Sequence, residues 1–189
     1  FSSSSHYNSL YDNILRFNNK MGGQGAIYSY TSTNITLINN TISDNYYHGI
    51  NLRDATGSVI LNNVISNNAN NGLYLRDLDN QFELIRIENN TITDNDLNGI
   101  YDTSHGKQNY RQNLISNNNR SGINCSNLDF GNIIYNTFSN NTEFGVKLDS
   151  SNNLIIHHNN FINNNGGGVQ CNDSGLNNYW NDTNFRGNY

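Results

Sequence analysis

Apolar and polar residues alternate along this chain in short bursts, as in Ile35-x-Leu37, Ile50-x-Leu52 and Ile133-x-Tyr135. A period of two predicts short strands with one face turned inward, and no stretch carries the 3.6-residue period of an amphipathic helix. The bursts themselves recur. A small residue followed by an aliphatic one stands at Ala26-Ile27, Gly49-Ile50, Gly72-Leu73, Gly99-Ile100, Gly122-Ile123, Gly145-Val146 and Gly168-Val169, at intervals of 23, 23, 27, 23, 23 and 23. In phase with it run Asn40, Asn63, Asn90, Asn113, Asn136 and Asn159. Two positions beyond each lies Ile42, Ile65, Ile92, Ile115, Phe138 or Phe161, and five beyond each lies Asn45, Asn68, Asn95, Asn118, Asn141 or Asn164. Three ladders in one phase define a 23-residue repeat.

Three short strands with their turns fill 23 residues, which is one coil of a parallel β-solenoid. A single coil cannot bury its apolar face, whereas coils stacked at ~4.8 Å close a core and pair the backbone. The pattern therefore predicts an all-β fold, a parallel β-helix of about 7–8 coils of 23 residues with little or no α-helix. One domain is expected over 1–189: an irregular first coil at 1–25, regular coils over 26–178, and a closing segment at 179–189. Leucine-rich repeats share the Ile35-x-Leu37-x-x-Asn40-x-Ile42 core and the period. Their second half is a Leu-rich helix or turn, whereas here it is Asn-rich and begins a new strand.

Composition changes the picture in one respect: 44 of 189 residues are Asn and none is Pro. Asn tolerates the left-handed backbone of tight corners, and its amide can bond the same residue one coil away. Hydrophobic residues make up 34% and charged residues 13%. Disorder is excluded by the 12 Tyr, 8 Phe and frequent Ile. No apolar run reaches the ~20 residues of a membrane helix. The net charge of −5 argues against a nucleic-acid partner. Phosphate loops, nucleophile elbows and zinc-protease helices are missing. The chain opens on Phe1 and is expected to be a mature or excised piece, so a missing leader does not bear on compartment.

The Asn-x-Ile-x-x-Asn…Gly-Ile-x-Leu coil resembles the repeats of NosD-like and carbohydrate-binding/sugar-hydrolysis (CASH) right-handed parallel β-helices, from about Asn13 to Tyr189. Asn178-Tyr179-Trp180-Asn181-Asp182 followed by Gly187-Asn188-Tyr189 looks like the closing motif of the NosD-like group, although the chain stops short of its further Trp-x-Asp-Tyr. The resemblance implies right-handed coils, as does the usual crossover rule. It also implies a copper association. Soft copper sites draw on Met, Cys or clustered His, and this chain has one Met and five His.

Chemistry is concentrated in the fourth coil. In the ladder Leu52, Leu75, Asp102, Cys125, Leu148, Cys171, one apolar position is a carboxylate, and His105, Lys107 and Arg111 follow it. Such a set could abstract a sugar-ring proton, as polysaccharide lyases and epimerases do; the alternative is a locally opened loop with Asp102 turned to solvent. Arg53-Asp54 and Arg76-Asp77 share a phase, and read either as a grip on acidic sugars or as solvated ion pairs. The outward ladder Tyr28, Asn51, Tyr74, Tyr101, Asn124, Lys147, Gln170 carries tyrosines that could stack on sugar rings, although tyrosine is also simply favoured in strands. Thus Tyr28, Tyr74, Tyr101, Arg53 and Arg76 are the carbohydrate-binding candidates.

Metal chemistry is less favoured. His157 and His158, as strand neighbours, are expected on opposite faces and so unable to share a metal. Asp77, Asp79, Asp149 and Asp173 near the corners could ligate calcium, without the Asp-x-Asp-x-Asp spacing that would support it. Cys125 and Cys171 share a phase two coils apart, ~9.6 Å along the stack, which predicts two free, buried thiols.

The leading expectation is a non-catalytic extracellular or cell-surface scaffold that contacts polysaccharide. Neither Phe1–Tyr11 nor Tyr179–Tyr189 reads as an amphipathic cap, so self-association by head-to-tail stacking is also expected. The alternatives are a lyase- or epimerase-type enzyme on acidic glycans, with the fourth coil as its site, and a NosD-like copper-maturation factor.

Overall fold

The computed structural model describes residues 6–18, 22–76, 84–184 and 186–189. Its strands form three parallel sheets of seven. The first stacks Ser9–Tyr11, Thr36–Ile38, Val59–Leu61, Ile85–Glu88, Gln108–Arg111, Asp129–Ile134 and Asn152–His157. The second stacks Ile14–Arg16, Thr41–Ser43, Val64–Ser66, Thr91–Thr93, Leu114–Ser116, Thr137–Ser139 and Asn160–Ile162. The third stacks Ile27–Tyr30, Ile50–Arg53, Leu73–Arg76, Ile100–Thr103, Ile123–Ser126, Val146–Asp149 and Cys171–Asp173. Each coil gives one strand to each sheet, so the chain winds about seven coils of solenoid. Three strands per repeat dispose of the leucine-rich alternative. Among the described residues the only helix is one 3-10 turn, Asn164–Gly167.

The inward residues make one continuous core. Leu37, Ile60, Ile87, Tyr110, Ile133 and Ile156 line the first sheet, and Ile42, Ile65, Ile92, Ile115 and Phe138 the second, all fully buried. β-branched side chains suit this pleated, half-buried surface. In the sixth coil the alternation differs from the expected Ile133-x-Tyr135. Gly131 and Ile133 face inward, while Tyr135 lies past the strand at a corner with φ 58° and is exposed. The glycine before each of the five middle third-sheet strands is required by the neighbouring coil. A Cβ at Gly99 would stand 2.7 Å from the Gly122 carbonyl oxygen and 2.6 Å from Ile115 Cγ2.

Asparagine does two separate jobs at the corners. The residues in the left-handed region are Asn39, Asn62, Asn89, Gln112, Tyr135 and His158 at one corner, and Asp44, Asn67, Asp94, Asn117, Asn140 and Asn163 at the next. The ladder residue follows each of these and is buried. Nδ2 of Asn40 donates to Oδ1 of Asn63 at 3.0 Å, and the bond repeats from Asn63 to Asn90, Asn113, Asn136 and Asn159 at 3.0–3.1 Å. The second ladder does the same from Asn45 through Asn68, Asn95, Asn118 and Asn141 to Asn164, at 2.8–3.0 Å. Each Oδ1 also accepts a backbone N–H, and each Nδ2 reaches a backbone carbonyl. Corner backbone groups that water cannot reach are thereby paired.

Two expectations fail at the C-terminal end. The turn from Asn163 to Gly168, with Asn165 and Gly166 at positive φ, shifts the register by two residues. Cys171 therefore pairs with Val146 and Asn172 with Lys147, so Gly168-Val169 and Gln170 fall outside the ladders assigned to them. Gln170 Oε1 instead accepts from Asn164 Nδ2 at 3.0 Å, closing the second ladder. Both thiols are free, but the same slip takes Cys171 out of the Cys125 phase and leaves it half-buried rather than buried as expected, while Cys125 is buried. The tail also covers strand edges that were expected to be open. Ile156 N–H donates to Tyr179 O at 2.7 Å, Phe161 N–H to Tyr189 O at 2.7 Å, and Asn188 Oδ1 caps the first ladder above Asn159 at 2.9 Å. Trp180 packs against the core.

Removing a mid-ladder amide should cost far more than removing a terminal one. Asn113→Ala strips the acceptor from Asn90 N and Nδ2 and the donor from Ile87 O and Asn136 Oδ1. At ~1–3 kcal/mol per buried group left unpaired, the expected loss is about 3 kcal/mol or more. Asn18→Ala, at the exposed end of a ladder, should lose about 1 kcal/mol or less. Urea unfolding at constant m-value compares them, and equal losses would contradict the ladder's role.

Candidate functional site

The outward positions of the third sheet hold the densest chemistry on the described surface. Register pairs Tyr28 with Asn51, Asn51 with Tyr74, Tyr74 with Tyr101, Tyr101 with Asn124 and Asn124 with Lys147. Strands held in register at one spacing force like side chains face to face. Tyr74 and Tyr101 accordingly stack at 5.3 Å between centroids, 8° from parallel. His48, from the corner before the sheet, leans on Tyr74 at 4.9 Å, and Tyr47 meets His48 edge-on at 4.5 Å. The Arg76 guanidinium lies 5.5 Å from the Tyr74 ring centre.

Beside the rings a second row forms a wall. Asn98 donates through N and Nδ2 to Asn71 Oδ1 at 3.0 Å, and Ser121 N–H donates to Asn98 Oδ1 at 3.2 Å. Wall and sheet enclose an open cleft of about 280 Å³ that also takes in Leu97, Arg120 and Asn124. Burial pushes the His48 imidazole down to about 4, with the Arg76 charge adding to the effect, so it is neutral near pH 7. Burial, followed by the neighbouring Tyr74, raises the Tyr101 phenol. The Asn124 Oδ1 is buried and accepts no hydrogen bond among the described residues.

Of the expected binding residues, Tyr74 and Tyr101 line this cleft, and Arg76 attends it. Tyr28 sits two strands from Tyr74 along the sheet, and Arg53 stands over the Tyr30 ring at 4.8 Å. Arg53 and Arg76 do share a register position, while Asp77 lies outside the described residues. Tyr47, His48 and Arg120 were not singled out from the sequence. Their positions before Gly49 and Gly122, on the corner beside the tyrosine ladder, were the available signal.

The fourth-coil set does not converge. Asp102 is fully buried, facing the core, while His105, Lys107 and Arg111 are exposed. Arg111 belongs to a different sheet from Asp102, and its guanidinium lies over Tyr135. The opened-loop alternative fails as well, because the carboxylate is enclosed by its own coil. Its Oδ1 accepts from Ser104 N at 2.8 Å and Ser104 Oγ at 2.5 Å, and its Oδ2 accepts from the Tyr110 hydroxyl. Gln108 Nε2 donates to Ser104 Oγ at 2.7 Å. Burial raises Asp102 to about 6, against the lowering effect of these bonds. Burial and the Asp102 charge push Tyr110 and Cys125 well above their ordinary ranges. An acid near 6 suits proton transfer, but this one has no exposed surface to offer a substrate.

Comparison with known proteins agrees with this architecture. The family described as "Right handed beta helix region" matches residues 1–127 and 71–189, which together span the chain. The chain belongs to the right-handed β-helix family. No curated protein matches it. Among solved structures it is similar to a trypsin-treated form of QnrB1, a plasmid-mediated fluoroquinolone resistance protein, at 12% identity and a TM-score of 0.24. That alignment covers 96% of this chain and 93% of the other, and a likeness so low does not bear on function.

Elsewhere on the β-helix the histidines depart from expectation. His158 falls just past its strand with φ 56°, which swings its ring onto the same side as its neighbour. Nδ1 of His157 and Nδ1 of His158 lie 2.6 Å apart, and Tyr135 stacks on His158 at 4.9 Å. His157 also lines a cavity of about 570 Å³ with Ile155, Tyr179, Asn181, Asp182 and Thr183 beneath the tail. Among the described residues no group of three or more His, Cys, Asp or Glu could hold a metal. Of the calcium candidates, Asp149 pairs with Lys147 at 2.7 Å. Asp173 accepts from Gly175 N, Asn178 Nδ2 and Trp180 Nε1, and Asp77 and Asp79 lie outside the described residues.

Asp102 yields a pH test. Its folded pKa of about 6 lies above the ordinary 3.8, so in that window the folded chain keeps a proton the unfolded chain has lost. Its contribution is intact below about pH 4 and fades as pH rises through about 6. Asp102→Asn, an uncharged isostere, should therefore gain about 2–3 kcal/mol on the native chain between about pH 3 and pH 7.5. His48 titrates alike in both chains and cancels. A pH-independent difference in chemical unfolding would contradict the buried carboxyl.

Proposed function

We propose that this β-helix is a non-catalytic scaffold module of an extracellular or cell-surface protein, and that it binds carbohydrate along its third sheet. The observation that carries the reading is the His48–Tyr74–Tyr101 row beside a cleft walled with side-chain amides. Aromatic faces take up the C–H face of sugar rings, and amides and guanidinium groups serve the hydroxyls. The NosD-like closing motif belongs to the same reading, supported by Trp180 packed on the core with its Nε1 donating to Asp173 Oδ2 at 2.9 Å. The absence of a substrate path to Asp102 weighs against a lyase or epimerase. Head-to-tail stacking is the weaker part of the proposal, since the tail covers strand edges at one end.

Glycan microarray screening followed by calorimetry tests the reading. The native chain should retain oligosaccharides, and Tyr74→Ala/Tyr101→Ala should lose about tenfold or more in affinity, since each ring supplies on the order of 1 kcal/mol beyond area burial. Far-UV circular dichroism should remain unchanged, because both rings lie outside the core. No glycan retained by the native chain, or equal affinity in the double variant, overturns the proposal.

A further inference from the structure

The pair Asn-Gly occurs three times in the chain, at Asn71-Gly72, Asn98-Gly99 and Asn165-Gly166. In such a pair the side-chain amide carbon lies within reach of the next backbone nitrogen, and glycine has no Cβ to hinder the approach. Attack needs a free nitrogen and a backbone able to rotate until the two atoms meet. The fold withholds both at the first two pairs. Asn71 and Asn98 are buried. Asn71 Oδ1 accepts from N and Nδ2 of Asn98 at 3.0 Å, and Asn98 Oδ1 accepts from Ser121 N at 3.2 Å. The attacking nitrogens are engaged as well: Gly72 N–H donates to Asn98 O at 3.1 Å and Gly99 N–H to Ser121 O at 3.0 Å. Both glycines lie hard against the next coil, where a Cβ on either would stand under 3 Å from a backbone carbonyl.

The third pair stands in the opposite condition. Asn165 and Gly166 are exposed and left-handed, at the head of a run of three glycines. A Cβ at Gly166 would meet nothing within 4 Å. The Asn165 amide is held by one contact among the described residues, Nδ2 to Val169 O at 3.5 Å, which is at the outer limit of a hydrogen bond.

We infer that Asn165 is a site of spontaneous covalent modification, at which the folded chain converts its own asparagine to aspartate and isoaspartate. The Gly166 nitrogen bonds to Asn165 Cγ and gives up its proton. The Cγ–Nδ2 bond breaks, and ammonia leaves carrying that proton. Water then opens the cyclic imide at either carbonyl, giving aspartate or, with the main chain rerouted through the side chain, isoaspartate. One water is consumed and one ammonia released, without oxidant or reductant. The isoaspartate adds a methylene to the main chain between Asn164 and Gln170. Those two residues close the second ladder, since Asn164 N and Nδ2 donate to Gln170 Oε1 at 2.9 and 3.0 Å. The conversion is therefore a slow, one-way loosening of that joint.

Peptide mapping by mass spectrometry tests it, on the native chain aged at mildly alkaline pH and on the same chain aged in urea. In urea the three pairs should convert at similar rates. In the folded chain Asn165 should keep its rate to within about tenfold, whereas Asn71 and Asn98, which react only through local opening, should slow about a hundredfold or more. Asn165→Gln should leave its peptide unconverted. Hydrogen exchange at the Asn164 N–H should quicken in the isoaspartate form. Folding that slows Asn165 as much as the other two, or folded chains in which all three convert alike, overturns the inference. Unchanged exchange at Asn164 overturns the loosening of the joint.

Discussion

Each coil must turn its backbone within a few residues at every corner and return one strand spacing along the axis. Its amides and carbonyls then face an interior without water. An unpaired group there forfeits much of what a hydrogen bond contributes, and the corner geometry leaves no strand partner to supply one. A side-chain amide offers both a donor and an acceptor and can repeat indefinitely along a stack. The ladders from Asn40 to Asn159 and from Asn45 to Asn164 are this solution. They demand a fixed spacing, and once the spacing is fixed the register of all three sheets follows.

Register then carries over to the surface. Side chains at one position of successive coils are held a strand spacing apart, close to the natural separation of stacked rings. Tyr74 and Tyr101 become parallel because their strands are, without further adjustment. The same rule places the short Asn51 and Asn124 at fixed positions on either side of the tyrosine pair.

The ladders and the outward row were legible in the sequence because every coil from Asn40 to Asn164 keeps its phase, and the single longer interval of 27 falls between Gly72 and Gly99. The register slip at the end was not. Gly168-Val169 imitates the repeat, and only the left-handed residues Asn165 and Gly166 reveal that two residues have been spent in a turn. The histidine pair misled for a related reason: alternation holds inside a strand, and His158 stands one residue beyond it. Tyr47, His48 and Arg120 escaped notice because corner residues meet the sheet through the shape of the corner, which no period encodes. Asp102 was recognised as anomalous, but its partner Tyr110 occupies another sheet, and sequence spacing does not show that the two meet across the core.

Asp102 and Tyr101 are consecutive residues of one strand, one turned in and the other out. The buried carboxylate with Ser104, Gln108 and Tyr110 is a closed polar network, expensive to desolvate but restrictive of geometry once formed. It ties the strand of Tyr101 to the sheet across the core, directly behind the row of rings. A leucine at the Asp102 position, as at Leu75 one coil before and Leu148 two coils on, would fill the space without fixing the strand's direction. The electrostatic cost is thus incurred directly behind the Tyr74–Tyr101 stack, on the same strand as Tyr101.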